Sequence, residues 1–183
     1  MLALIWRLNI FFGDLKAKSN FKNTISSFNR LLGLSANYPK LKEEAKWISS
    51  KLSTNEEGKI VSEVTYKGQS LKLFPEQVTA AMLGDLRKII SLNNLPNNEA
   101  VISVPSYYTE AERKSLKDAC KIAGLSPVKL LNENSAICLS YGLFRKTELE
   151  ATVPRYVAFV DFGHSKFSCF VGEFYNEKVR IVA

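Results

Sequence analysis

Histidine is nearly missing from this chain: His164 is the only one among 183 residues. Cysteine is scarce as well, with Cys120, Cys138 and Cys169 far apart and in no metal-ligand spacing. The two shortages together speak against a zinc site, which needs clustered cysteine and histidine. An odd number of cysteines, each in an apolar setting, fits reduced core thiols in a cytosolic protein. A long apolar run is missing too. The opening MLALIWRLNIFF is only twelve residues long, too short to span a bilayer. It has neither a basic leader nor a small-residue cleavage site, so it reads as a buried strand, or as the product of a misplaced start codon, rather than a signal peptide.

What remains is a composition ordinary for a globular protein, with 46% hydrophobic and 23% charged residues. The length suits one domain with a substantial core, or two small lobes. The net charge of +7 is concentrated at the front: residues 1–52 hold nine lysines and arginines against three acids. Those cations (Lys16, Lys18, Lys22, Arg30, Lys40 and Lys42 among them) stand singly among apolar residues. That dispersal fits a solvated helical face better than a nucleic-acid or membrane surface, so neither is expected as a partner.

Residues 20–52 read as helical, FKNTISSFNRLLG ending at Gly33 and YPKLKEEAKWISSKL following Pro39. IVSEVTYKGQSLKLF reads as a hairpin turning at Lys67-Gly68. PEQVTAAMLGDLRKIISL opens with proline and sets Val78, Met82, Leu86 and Ile89 on one helical stripe. From residue 98 strand and helix alternate. EAVISVP is a strand closed by Pro105, and Thr109 with Glu112 forms a capping box for a helix with Leu116, Ala119, Cys120 and Ala123 on its apolar face, ended by Gly124. PVKLLN is the next strand and NENSAICLSYGLF the next helix. YVAFVDF, KFSCFVGEF and KVRIVA complete the chain as strands with tight connections at Gly163–Ser165 and Asn176. The change of pattern divides the chain into 1–97, a small α+β unit, and 98–183, a mixed sheet with flanking helices.

Chemistry concentrates in VDFGHSKF, residues 160–167. A strand ending in Asp161, a turn at Gly163 and a returning strand suit phosphate handling, because turn N–H groups point at phosphate oxygens and an aspartate holds Mg²⁺-bound water. Taken alone, the same Asp-x-Gly pattern fits an ordinary hairpin better. His164 has no partner at catalytic spacing, and Ser165 beside it points elsewhere on a strand, so His164 reads as a loop residue. At the strand-to-helix junction NEN, Asn132 reads as an N-cap and Glu133 as a carboxylate on the helix dipole.

AVISVPSYYTEAERKSLKDACKIAGLSPVKLLNENSAICLSYG resembles the ATPase domain of the heat-shock protein 70 superfamily. NFKNTISSFNRLLGL, YVAFVDFGHSKFSC and the GHS in place of a triple glycine resemble its large heat-shock protein 110 branch. The similarity runs from about Gly13 to Ala183. It implies an α/β, actin-like (ribonuclease H-like) fold, of which this chain supplies most of lobe I: 1–97 as the upper subdomain and 98–183 as the lower one. ATP and Mg²⁺ are the implied cofactors. Asp161 and Gly163 match the second phosphate loop, with His164, Ser165 and Lys166 completing it and Asp161 reaching the metal through water. Glu133 matches a carboxylate on the metal and water side of the same site, so Glu133 and Asp161 are the implied catalytic pair. Pro105 and Arg113 match a proline and an arginine that relay nucleotide state to the surface.

Departures from the pattern matter as much. Asn29 stands where chaperone members carry a lysine that contacts the γ-phosphate, and a neutral amide does not stabilise developing negative charge. Lys166 replaces a threonine. The first phosphate loop, lobe II with its adenosine-binding residues and the substrate-binding domain find no counterpart. The resemblance therefore implies a truncated or divergent cytoplasmic chaperone of the 70/110 type, with a partner heat-shock protein 70 and unfolded polypeptides as its partners. It would exchange nucleotide on that partner and hold unfolded chains, with little hydrolysis of its own. The alternative is a fragment of an active ATP-hydrolysing member. A sugar kinase or a filament-forming actin relative is disfavoured, since VPSYYTEAER and NFKNT resemble neither.

Overall fold

The computed structural model describes residues 3–4, 20–95, 99–126, 128–163 and 166–183. Its strands are β1 (Ala3–Leu4), β2 (Lys51–Thr54), β3 (Ile60–Tyr66), β4 (Gln69–Leu73), β5 (Ala100–Val104), β6 (Val128–Asn132), β7 (Arg155–Phe162), β8 (Phe167–Phe174) and β9 (Val179–Ile181). Its α-helices are α1 (Leu41–Glu44), α2 (Pro75–Leu92), α3 (Glu110–Ile122) and α4 (Glu133–Phe144). The strands form three three-stranded sheets, ordered β1-β5-β6, β2-β3-β4 and β7-β8-β9. The architecture is α/β with parallel and antiparallel pairing: β1 runs parallel to β5, whereas the pairs β2–β3, β3–β4, β7–β8 and β8–β9 are antiparallel. Most of MLALIWRLNIFF lies outside the described residues, but Ala3 and Leu4 do form a strand, opposite Val101 and Ile102.

Two compact units are present, Met1–Ile102 with Tyr108–Lys129 and Ser103–Tyr107 with Leu130–Ala183. In the first, the helical reading of residues 20–52 fails. Only 3-10 turns at Phe21–Asn23, Phe28–Arg30 and Ala45–Trp47 and the four-residue α1 form there, and the segment ends in β2. Short polar side chains compete with helical bonding there by taking backbone partners within and beyond the segment. The Thr24 hydroxyl donates to the Asn20 carbonyl at 3.0 Å, Asn23 Oδ1 accepts from the Thr65 N–H at 2.7 Å, and Ser27 sits at φ +52°. Ile48 and Leu52 instead join Leu31, Leu34, Leu41 and Ile60 in one apolar cluster.

The hairpin and the two long helices of this unit follow local rules. Tyr66 pairs with Gln69 across Lys67 and Gly68, both at positive φ, the two-residue turn that matches strand twist. In α2, Pro75 occupies the first turn, and the Gln77 side chain accepts from the Phe74 N–H at 2.9 Å. Its buried line is Thr79, Ala80 and Leu83, one position round from the expected stripe; Val78, Met82 and Leu86 are half-buried and Ile89 is exposed. The displacement arises because Thr79 spends its hydroxyl on the Pro75 carbonyl at 2.8 Å and so enters the core at little cost. Helix α3 carries the expected capping box, Thr109 N–H donating to Glu112 at 2.6 Å, and buries Leu116, Ala119 and Cys120 completely. At its end Gly124 N–H reaches Lys121 O and Leu125 N–H reaches Cys120 O, both at 2.9 Å.

Gly33 fixes the seating of the Phe28–Arg30 turn on α3. It lies at φ +67°, and a Cβ there would stand 2.6 Å from the Glu112 nitrogen and 2.7 Å from the Ala111 carbonyl carbon. The close approach lets the Gly33 N–H donate to the Ser115 hydroxyl at 3.1 Å, and that hydroxyl donates on to Glu76.

The second unit packs α4 on the β7-β8-β9 sheet. Phe174, Phe170, Cys138 and Leu149 form its centre, and Tyr141, Val157 and Phe159 close around them. Phe159 stacks on Phe170 with centroids 5.0 Å apart, and Tyr141 tilts onto Phe174 at 4.8 Å. Strand alternation sends Val157, Phe159 and Asp161 to the α4 side and Tyr156, Val160 and Phe162 to the other. That other face is open: Val160 is 67%, Phe167 62% and Phe162 81% exposed. One polar ladder crosses it, Tyr156 donating to Glu173 at 2.9 Å and Arg180 donating to Glu173 at 2.8 Å.

The cysteines divide. Cys120 and Cys138 are buried as expected, whereas Cys169, opposite Val160 on the open face, is exposed, because β8 alternation places it there. Burial pushes the Cys120 thiol up to about 11 and raises Cys138 as well, so both stay protonated at neutral pH. Thiol labelling of the native chain at pH 8 should therefore modify Cys169 alone; modification of Cys120 before unfolding would contradict the packing of α3. Gly33→Ala should destabilise the first unit by about 2–4 kcal/mol, combining left-handed strain with overpacking against α3. Gly68→Ala, whose Cβ meets nothing within 4 Å, should lose only about 1 kcal/mol. Urea denaturation of both variants checks the difference, and equal losses would refute the close approach.

Candidate functional site

The candidate phosphate loop is the β7–β8 hairpin. Val160, Asp161 and Phe162 face Cys169, Ser168 and Phe167 in register, and the loop closes with the Gly163 N–H donating to the Lys166 carbonyl at 3.0 Å. The rings of Phe162 and Phe167 meet edge-on at 6.0 Å and fasten the loop from its open face. Asp161 lies half-buried on the α4 side of β7. His164 and Ser165 lie outside the described residues.

Glu133 is the first residue of α4, following Asn132, which takes the extended N-cap geometry without a side-chain cap bond. The Glu133 carboxylate forms an ion pair with the Lys166 ammonium across the hairpin loop. Both side chains are largely buried, 12% and 20% exposed. Burial pushes the Lys166 ammonium below the usual lysine value. Two residues 33 apart in sequence thus meet at the loop. The one sequence signal of it was Lys166 at a place that the resemblance implies for a threonine, whose short side chain could not span from hairpin to helix.

The other candidates sit on separate supports. Asn29 belongs to the Phe28–Arg30 turn, and its carbonyl accepts from the Tyr108 hydroxyl at 3.0 Å. Arg113, in the first turn of α3, donates from Nε to the Tyr108 carbonyl at 3.0 Å. Tyr108, which sequence reasoning passed over, therefore serves both, one through its hydroxyl and one through its backbone. Pro105 follows β5 and is buried. A shallow groove along α2 and α3, floored by Ala80, Ala81 and Gly84 and edged by Arg87 and Lys88, contains none of these residues.

Mg²⁺ requires hard oxygen ligands turned freely toward it. Of the two carboxylates that the resemblance sets at the metal side, Asp161 and Glu133, the second is engaged by an ammonium. Among the described residues no three histidine, cysteine or acidic side chains gather closely enough to hold a metal ion. The Lys166 ammonium competes at Glu133 with the ion that the resemblance implies, so the described side chains fit it poorly.

Comparison with known proteins gives a consistent kinship. The family model described as Hsp70 protein matches residues 13–183. A heat shock protein homolog of Candida glabrata is 36% identical over 91% of this chain and 24% of its own length, and its counterpart in Saccharomyces cerevisiae is 34% identical over 93% and 25%. Human heat shock 70 kDa protein 4 is 37% identical over 90% of this chain and 20% of its own. The chain spans a fifth to a quarter of the length of these relatives. With the match extending over nearly all of it, the chain belongs to the Hsp70 family, among whose members it resembles these yeast homologs and heat shock 70 kDa protein 4.

Proposed function

We propose that this chain is part of the actin-like ATPase domain of a cytoplasmic chaperone of the heat-shock protein 110 type. Its residues 1–97 and 98–183 correspond to the two subdomains of lobe I, and Pro105 and Arg113 to the relay between nucleotide and surface. The protein promotes nucleotide exchange on a partner heat-shock protein 70 and holds unfolded polypeptides, and its own ATP turnover is minor. The observation that carries this reading is the Lys166–Glu133 ion pair, which engages the carboxylate a hydrolysing member would keep open. Asn29 at the place of the γ-phosphate lysine supports it independently, since loss of one preorganised charge contact costs about a hundred- to a thousand-fold in rate. No helix among the described residues is long and apolar enough to cross a membrane.

Release of a fluorescent ADP from a partner heat-shock protein 70, followed after mixing with this protein, tests the exchange role. Acceleration is expected. Its absence overturns the reading, and steady ATP turnover by the protein itself would favour the hydrolysing alternative. The 183-residue chain taken alone should bind Mg²⁺-ATP weakly, because the residues that would bury the purine have no counterpart in it and purine burial supplies much of the affinity in such sites. Isothermal titration should accordingly give no micromolar dissociation constant, and Asn29→Lys should not restore turnover. A micromolar constant would refute the expectation.

A further inference from the structure

We propose that the Lys166 ammonium takes the place of a divalent cation in the hairpin site, so that this site does not load Mg²⁺. The inference rests on the reading of Asp161 and Glu133 as the family's metal-side carboxylates. It then follows from residues particular to this chain.

Three observations bear on it. The ammonium and carboxylate are paired directly, and both side chains are largely withdrawn from water. A buried carboxylate must have a compensating cation, and here one is covalently attached to the loop that would otherwise receive the ion. The loop itself is held at its ends by the Gly163–Lys166 backbone bond and by the Phe162–Phe167 ring contact, so the lysine stem is anchored beside α4. A divalent ion arriving at Glu133 would meet a like charge at close range in a region of weak screening. To bind, it would have to expel the ammonium and leave that charge without its partner.

Removal of the lysine reverses the charge balance at Glu133. With Lys166→Thr, Glu133 keeps its place at the start of α4 but loses its cation, and an external cation becomes the available counter-charge. The experiment is titration of the 183-residue chain with Mn²⁺ alone, reading the free-ion signal by electron paramagnetic resonance, with far-UV circular dichroism to establish folding. Lys166→Thr should bind Mn²⁺ at least about tenfold more tightly than the unmodified chain. The double variant Lys166→Thr/Glu133→Gln should lose the gain. Lys166→Met, which keeps the apolar stem, is read by the same criterion should Lys166→Thr fail to fold. Equal affinity in the chain and its lysine variants, including undetectable binding in all, overturns the proposal, as does a gain that survives in the double variant. Failure here would leave the nucleotide-exchange reading standing, because that is decided by ADP release from the partner and not by metal affinity.

Discussion

Gly33 has no side chain because the first turn of α3 stands where one would be. That single steric fact sets the arrangement of the first unit. Backbone approaches backbone closely enough for Ser115 to link Gly33 with Glu76 of α2, so one hydroxyl ties a loop and two helices together. Leu31 and Leu32, immediately before the glycine, are thereby driven out of solvent almost completely. The Phe28–Arg30 turn is held by the same approach, and Asn29 is consequently fixed through its carbonyl to Tyr108. The position that the resemblance gives to the family's lysine is therefore supported through its backbone.

The second unit shows the complementary change. There Lys166, which the resemblance sets at the place of a threonine, spends its charge on Glu133. On the proposed reading, a neutral amide at position 29 and a paired carboxylate at position 133 would both lessen the electrostatic support for phosphoryl transfer, while the helix and hairpin that carry Glu133 and Lys166 stay in place.

Legibility in the sequence tracks the range of the interactions involved. Helices α2 and α3 are readable because proline at the first turn, the Thr109–Glu112 box and Gly124 act within a few residues of themselves. The β3–β4 hairpin is readable through Lys67-Gly68 for the same reason. Residues 20–52 suggest helix by their apolar spacing, but the competing bonds of Asn20, Asn23 and Thr24 and the left-handed Ser27 prevail. One of those bonds, from Thr65 to Asn23, closes over 42 residues and leaves no local trace. The candidate site divides likewise. Asp161 and Gly163 are visible as a local turn pattern, whereas the Lys166–Glu133 pair depends on how α4 lies on the hairpin and needs the fold to become apparent. The apolar neighbours of Cys169 suggest a core position, although strand alternation at Phe167–Phe174 sends it outward.

The open face of the β7-β8-β9 sheet has a consequence for the handling of this chain by itself. β7 is an edge strand of eight residues with no described strand on one side. Its outward side chains include Val160 and Phe162, beside Phe167 on β8. A long strand edge joined to an apolar face is a template for further strands, and nothing on its outer row carries a charge between Arg155 and the end of the strand. Colloidal behaviour will thus be set by this patch more than by the net charge of +7, most of which resides in the first 52 residues. A lysine placed at Val160 or Phe162 would act as a gatekeeper, keeping dilute and concentrated preparations of the chain alike.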